Sequence, residues 1–275
     1  MSDVLVLRLS APLQSWGGHS RHTTRGTLTH PTKSGVVGLC AAALGRPRGT
    51  DLSDLAALRL GVRVDRPGTL LVDFHTVSAA SHGPLDPKAQ RLPTSGGGRL
   101  KPGEGKVSRR AYLQDAVFVA ALEATGTAQR ALLEEVEAAL RRPRYPLFLG
   151  RRSCPPDRPV LLGLHRDTDL ASVLSEVPWQ GSSTWERHRK KQAEKDGREY
   201  LWQDAPADGL PVIVDDANGG ELLPDLPLPG HPFRRSFGDR PVSHDRVPAP
   251  GAATAADPLF SGDAAMAELD DEGGL

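Results

Sequence analysis

Two stretches of the chain combine cations with backbone geometry suited to phosphate. The first, Thr32-Lys33-Ser34-Gly35, opens the apolar run Val36 to Leu44. If that run is a helix, the amides of Lys33, Ser34 and Gly35 have no intrahelical partner and lie beside an ammonium and a hydroxyl, the makings of an anion site. The same residues also read as an ordinary helix start capped by Thr32 or Ser34. The second stretch is PRYPLFLGRRSCPP, residues 143–156, where Gly150 permits close backbone approach and Arg151 and Arg152 offer planar forks to phosphate oxygens. Four prolines, at 143, 146, 155 and 156, stiffen it. Gln14, Ser15, Trp16, Arg21 and Arg25 precede the first helix and would line the same end of a sheet.

Acid–base chemistry is less well provided for. His19, His22 and His30 have no Cys or carboxylate among them, so no metal set is read there. Ser153 and Cys154 lack a histidine at a recognisable spacing, and both Cys154 and Cys40 read as small buried hydrophobes. His75 ends a strand-like segment and could serve as a general base on a ribose 2′-hydroxyl with Tyr112 or a lysine assisting. A structural strand-end histidine is the plainer account. No catalytic residue, metal or cofactor is expected. Aromatics make up 5% of the chain, and its strands lack the alternating Phe/Tyr pattern of stacking RNA readers, so recognition should run through phosphates, backbone and a few base edges.

The charge pattern points to a polyanion. With 34 basic and 34 acidic residues the formal net charge is zero, which alone argues against nucleic acid. Yet residues 4–50 contain no acid at all, only Arg8, Arg21, Arg25, Lys33, Arg46 and Arg48 with three histidines. Residues 87–114 hold seven cations, among them Arg109 and Arg110, against Glu104, and residues 138–156 hold Arg141, Arg142, Arg144, Arg151 and Arg152 against nothing. Compensation comes from residues 247–275, which carry Asp257, Asp263, Glu268, Asp270, Asp271 and Glu272 and no Lys or Arg. Such segregation is the footprint of a phosphate-binding body with a solvated acidic tail.

The elements that must position these groups follow from periodicity. Asp3 to Leu9 reads as a strand buried on both faces, and residues 33–44 as a packed helix ending at Gly45. Leu60 to Asp65 and Thr69 to Phe74, joined by Arg66-Pro67-Gly68, read as a hairpin. Residues 76–110 lack periodicity and read as a mobile basic excursion. A strand at 116–122, a helix that Thr127 caps and Pro143 stops, and a strand at 160–164 complete a β-α-β-β-α-β order. Further strands are expected at 211–215 and 240–247, and the segment from 248 onward is too polar and Ala/Gly/Pro-rich to order. Two isolated cysteines suit a reducing cytoplasm, the nine-residue run from Val36 is too short to span a membrane, and no secretory leader is evident.

Four motifs in sequence, LRLSAPLQSWGG, HPTKSGVVGLCAAALG, VSRRAYLQDAVFVAAL and RRPRYPLFLGRRSCPP, resemble the Cas-family-five subunits of type I-E CRISPR Cascade complexes, members of the RAMP superfamily. The resemblance covers most of residues 3–165 and departs in length after about 178. It implies an α+β architecture: a ferredoxin-like, RRM-related RAMP domain over 1–165 with an inserted thumb at 76–110, a smaller β-rich C-terminal part over 166–247 completing the fold, and a disordered acidic tail at 248–275. It further implies a non-catalytic subunit that caps the 5′ handle of the CRISPR RNA and contacts the backbone subunit and the large target-reading subunit, with target DNA present in the assembled complex and no membrane partner. The implied RNA-binding set is Gln14, Ser15, Trp16, Arg21, Arg25, Lys33, Ser34, Gly35, Arg109, Arg110, Tyr112, Arg144, Tyr145, Gly150, Arg151, Arg152 and Ser153. Relatives in type I-C do cut RNA, which leaves a metal-independent endoribonuclease as one alternative and a protein-only scaffold as another.

Overall fold

The computed structural model describes residues 2–17, 20–21, 23–78, 105–181, 209–229 and 236–248, with the single positions 98, 191, 195 and 197. Strand β1 (Asp3–Ser10) is buried at all eight positions. Because side chains alternate along a strand, Leu5, Leu7 and Leu9 enter one apolar core while Val4 and Val6 enter another on the opposite face. After the short strands β2 (Leu13–Gln14), β3 (Ser20–Arg21) and β4 (Thr24–Arg25) comes helix α1 (Lys33–Ala43), which starts at Thr32 and stops where Gly45 turns left-handed. The short α2 (Ser53–Ala56) leads into β5 (Arg59–Arg66).

The expected hairpin of β5 with the next strand does not form. Strand β6 (Thr69–Ser78) pairs instead with β7 (Gly105–Gln114), over ten residue pairs from Thr69↔Gln114 to Ser78↔Gly105, and β5 belongs to a different sheet. Gly68, at φ +71, makes the transfer possible, since a Cβ there would sit 2.6 Å from the Gln114 carbonyl oxygen. The excursion at 76–110 therefore begins and ends as paired strand, a correction to its reading as wholly aperiodic; residues 79–97 and 99–104 lie outside the described residues. In the second sheet β7 also pairs with β2 and, in parallel, with β4, on the side away from β6.

Strand β8 (Val117–Ala124), helix α3 (Thr127–Arg141) and strand β9 (Leu161–His165) follow. Gly126, not Thr127, occupies the cap of α3, and the Gln129 side chain accepts from the Thr125 and Gly126 amides. The strands β5, β8, β1 and β9 lie side by side in that order, every neighbour antiparallel, with α1 and α3 packed over one face through Val36, Cys40, Leu133 and Val136. Helix α4 (Leu170–Glu176), not anticipated from the sequence, covers the other face with Val4, Val6, Val119 and Ala121.

Strands β10 (Leu210–Asp215), β11 (Glu221–Leu228) and β12 (Ser236–Val247) join the same sheet through β10 and β5, giving seven strands in the order β11-β12-β10-β5-β8-β1-β9. Pro224 and Pro227 hid β11 from periodicity. They are tolerated because β11 is the edge strand and its register shifts between Leu223 and Leu226. The architecture is thus α+β with mostly antiparallel sheets. The charged segment at 185–202, apart from three positions, and the acidic tail beyond 248 lie outside the described residues.

Candidate nucleic-acid interface

The three basic windows of the sequence meet at one guanidinium. Gly150 adopts φ +91, and a Cβ there would collide with the Ser15 carbonyl oxygen, so only glycine lets the 143–153 loop lie against the turn after β2. The Ser15 amide donates to the Leu149 carbonyl at 3.1 Å and fixes the same approach. Arg151 then reaches across the second sheet: Nη1 donates to the Ala111 carbonyl at 3.0 Å, and Nη2 to the carbonyls of Arg25 and Gly26 at 3.1 and 3.2 Å. Its guanidinium lies 4.6 Å from the centroid of the Tyr112 ring. The Tyr112 hydroxyl is 3.4 Å from Ser153 Oγ. Burial raises the phenol's pKa, but the hydroxyl of Ser153 and the charge of Arg151 outweigh it and leave the group below its ordinary value.

Around this clasp lie cations that the fold leaves open. Thr24 and Arg25 of β4 sit opposite Arg109 and Arg110 of β7 in parallel register, so the basic positions of the two strands are neighbours. Arg25 and Arg109 are exposed and Arg110 is half-buried, its Nε donating to Ser108 Oγ at 3.3 Å. Arg109 rests 5.1 Å from the ring centroid of Phe74, itself 61% exposed on β6. Arg152 and Arg144 are exposed on the loop; the Arg144 and Tyr145 amides tie to the Ala43 and Ala42 carbonyls at the end of α1. Among the described residues none of Arg25, Arg109, Arg110, Arg144 and Arg152 forms an ion pair, although Asp73 stands opposite Arg110 across the hairpin. The Arg21 side chain lies outside the described residues. Phe74 was missed by sequence reasoning: its alternation with Leu70 and Val72 was visible, but its place opposite Arg109 depends on the β6–β7 pairing, which was not.

The start of α1 is a correction. Lys33 is 5% exposed; its ammonium pairs with Asp215 at 2.6 Å and its amide donates to Asp225 Oδ2 at 2.8 Å. Arg240 completes a buried cluster, binding Asp225 through Nε and Nη2 at 2.8 Å each and also binding Asp215. The Gly35 amide donates to Thr32 Oγ1 at 3.2 Å, so the helix end is already occupied and the Lys33 charge is already matched by a carboxylate. Gly35 is glycine because a Cβ would lie 2.8 Å from the Trp16 ring. Ser34, half-buried, donates to Thr32 Oγ1 at 3.3 Å. Nothing short-range in the sequence links position 33 to positions 215, 225 and 240.

Gln14, Ser15 and Trp16 are likewise internal. The Gln14 amide donates to the carbonyls of Leu9 and Ala116 at 3.1 and 2.6 Å, and its Oε1 accepts from Trp16 Nε1 at 3.1 Å. Ser15 Oγ donates to the Ala111 carbonyl at 3.3 Å, and the Trp16 ring is wholly buried. These three hold the two sheets together and present no polar atom outward, because each donor is already matched.

Nucleophiles and metal ligands find little support among the described residues. Among the described residues no group of three His, Cys, Asp or Glu lies close enough to hold a metal. Burial pushes the Cys40 thiol up to about 12 and raises that of Cys154, so neither is a ready thiolate. His75 is partly exposed, with Nδ1 3.9 Å from Asp73 Oδ2. Burial lowers the pKa of His30; His19 and His22 lie outside the described residues. No described helix is long and apolar enough to cross a membrane.

The family described as CRISPR-associated protein (Cas_Cas5) matches residues 4–243. This chain belongs to that family. The matched span holds every arginine around the clasp and the whole buried cluster through Arg240, and it leaves the acidic tail outside. A protein of Escherichia coli strain K12 described as CRISPR system Cascade subunit CasD is 38% identical over 186 residues, 63% of this chain and 76% of that protein. A chain of a solved CRISPR RNA-guided surveillance complex superposes with a TM-score of 0.66 at 32% identity, covering 90% of this chain and 91% of its own. A second, from a crystal structure of a Cas protein, gives a TM-score of 0.61 at 33% identity over 91% of this chain and all of the other.

Proposed function

We propose that this Cas5-family chain is a non-catalytic RNA-binding subunit of a type I-E Cascade surveillance complex, holding the 5′ handle of the CRISPR RNA. The observation that carries the reading is the convergence of three distant basic stretches on Arg151, with Arg25, Arg109, Arg110 and Arg152 around one clasp and forming no ion pair among the described residues. Open arginines on two adjacent strands and a neighbouring loop can follow a phosphodiester backbone, and Arg109 over Phe74 adds a platform for a base. The strand order β5-β8-β1-β9 with α1 and α3 on one face supports a ferredoxin-like, RRM-related core, with the β6–β7 arms as the base of a thumb. The backbone subunit and the large target-reading subunit would pack around this body, with target DNA in the assembled complex and the cytoplasm as its compartment. The likeness to CasD and to a chain of an RNA-guided complex favours this assembly over a free enzyme.

The test is expression of the full chain with its neighbouring CRISPR proteins, followed by isolation. A discrete short RNA and several other chains should copurify. Arg109→Ala with Arg110→Ala should weaken binding of a handle RNA and reduce the slope of log K against log salt by about 0.7 for each phosphate no longer neutralised. An unchanged slope removes these arginines from the interface. Cleavage of repeat RNA in chelator, abolished by His75→Ala, would replace the reading with an endoribonuclease, and assembly with partners unaffected by removal of RNA would replace it with a protein scaffold.

A further inference from the structure

A groove of about 610 Å³ lies on the other side of the 143–153 loop, between α1 and the tips of β11 and β12. Its floor is the small-residue face of α1, where Gly38 is exposed and a Cβ would meet nothing within 4 Å. Three aromatic side chains line it: half-buried Phe148 and, each 45% exposed, Tyr145 from the same loop and Phe237 from β12. Half-exposed aromatics in a polar, cation-bearing groove are unusual, because each leaves apolar ring surface in water that a planar partner would cover.

The cations of the groove divide by role. Arg46 is held by a two-pronged pair with Asp54 at 2.7 Å on both prongs and forms a fixed wall. Arg48 and Arg152 are exposed and form no ion pair among the described residues. Ser34, the residue of the first-helix motif that the buried charge cluster does not absorb, opens onto the same space. Planar apolar surfaces, unpaired guanidinium groups and hydroxyls in a cleft of this volume match one nucleotide: a base for the rings, a phosphate for the arginines.

We infer that this groove is a nucleotide pocket that takes one unstacked residue of single-stranded RNA, its base against Tyr145 and Phe237 and its phosphate on Arg48 and Arg152. The inference rests on the RNA-binding reading above and adds Arg48, Phe237 and Gly38 to it. Because the 143–153 loop is the shared wall between the groove and the Arg151 clasp, one RNA strand can pass from the open arginines of β4 and β7 over Arg152 into the groove.

The experiment uses the full chain and a handle-length RNA carrying 4-thiouridine at each position in turn. Irradiation should crosslink one position to the peptide containing Tyr145 or Phe237. Phe237→Ala should abolish that crosslink and weaken binding about tenfold. Gly38→Leu offers a second route: it enters open space on a helix, where leucine is the better helix former, so it should fill the groove without loss of thermal stability and should equally abolish the crosslink and reduce affinity. Wild-type affinity and crosslinking in both variants, alongside weakened binding in the Arg109→Ala, Arg110→Ala protein, would overturn the pocket and keep the RNA reading. Failure of the wild-type chain to bind RNA at all would overturn both. Tight binding of adenosine or uridine monophosphate alone, competing with the crosslink at micromolar concentration, would assign the groove to a free nucleotide and overturn its assignment to RNA.

Discussion

The chain handles its cations in two opposite ways. At the start of α1, Lys33 and Arg240 are buried with Asp215 and Asp225, and each charge meets an opposite one through side-chain contacts, most of them 2.6 to 2.8 Å. On β4, β7 and the 143–153 loop, Arg25, Arg109, Arg110 and Arg152 have no ion pair among the described residues. Desolvation explains the difference. A buried ammonium or guanidinium must have a carboxylate partner or it costs several kcal/mol, whereas an exposed guanidinium retains its water until a polyanion replaces it. The first arrangement ties the C-terminal strands to the N-terminal helix, and the second leaves a surface ready for phosphate. Arg151 stands between them: its charge is spent on carbonyls and a tyrosine face, and it shapes the surface more than it binds.

That contrast can be broken most severely at Asp215. Asp215→Ala leaves Lys33, Arg240 and the Leu60 amide without their common acceptor, and should cost about 3–5 kcal/mol in denaturant unfolding. A loss under about 1 kcal/mol would mean the cluster behaves as a solvated surface pair. Arg151→Ala should come next, at about 1–3 kcal/mol, because three backbone carbonyls lose a donor; Arg151→Lys should not restore it, since a single ammonium cannot reach all three. Arg109→Ala with Arg110→Ala should change stability by less than about 0.5 kcal/mol while altering the salt dependence of RNA binding, and a large stability loss would place these arginines with the structural class.

A further small effect concerns pH. The hydrogen bond from Arg46 holds the Asp54 carboxyl below its usual range, despite an opposing contribution from burial. A depressed carboxyl contributes stability that is present above the unfolded value near ~3.9 and is lost as pH falls through the lower folded value. Because the pair is partly exposed, Asp54→Asn should remove under about 1 kcal/mol at neutral pH and nothing at pH below both values, measured by thermal unfolding across that range.

Local pattern carried a good part of this molecule. The continuous apolar runs of β1 and β8, a hydroxyl cap for α1 at Thr32 or Ser34, the stop at Gly45 and the cation-rich composition of three windows are properties of neighbouring residues, and short-range chemistry is enough to read them. Strand partnership was not readable, which is why β5 and β6 looked like a hairpin and Pro224 and Pro227 hid β11. Nor was the fate of individual polar groups: Lys33 looked like a phosphate ligand until Asp215, Asp225 and Arg240 closed over it, and Gln14, Ser15 and Trp16 looked like loop residues until the two sheets met on them. Composition and spacing determined that this chain would fold as α+β and carry a cationic surface. Which cations remained open to a ligand was decided only by tertiary contact, because desolvation depends on what lies opposite in space and a residue nearly two hundred positions away leaves no mark on its partner's local sequence.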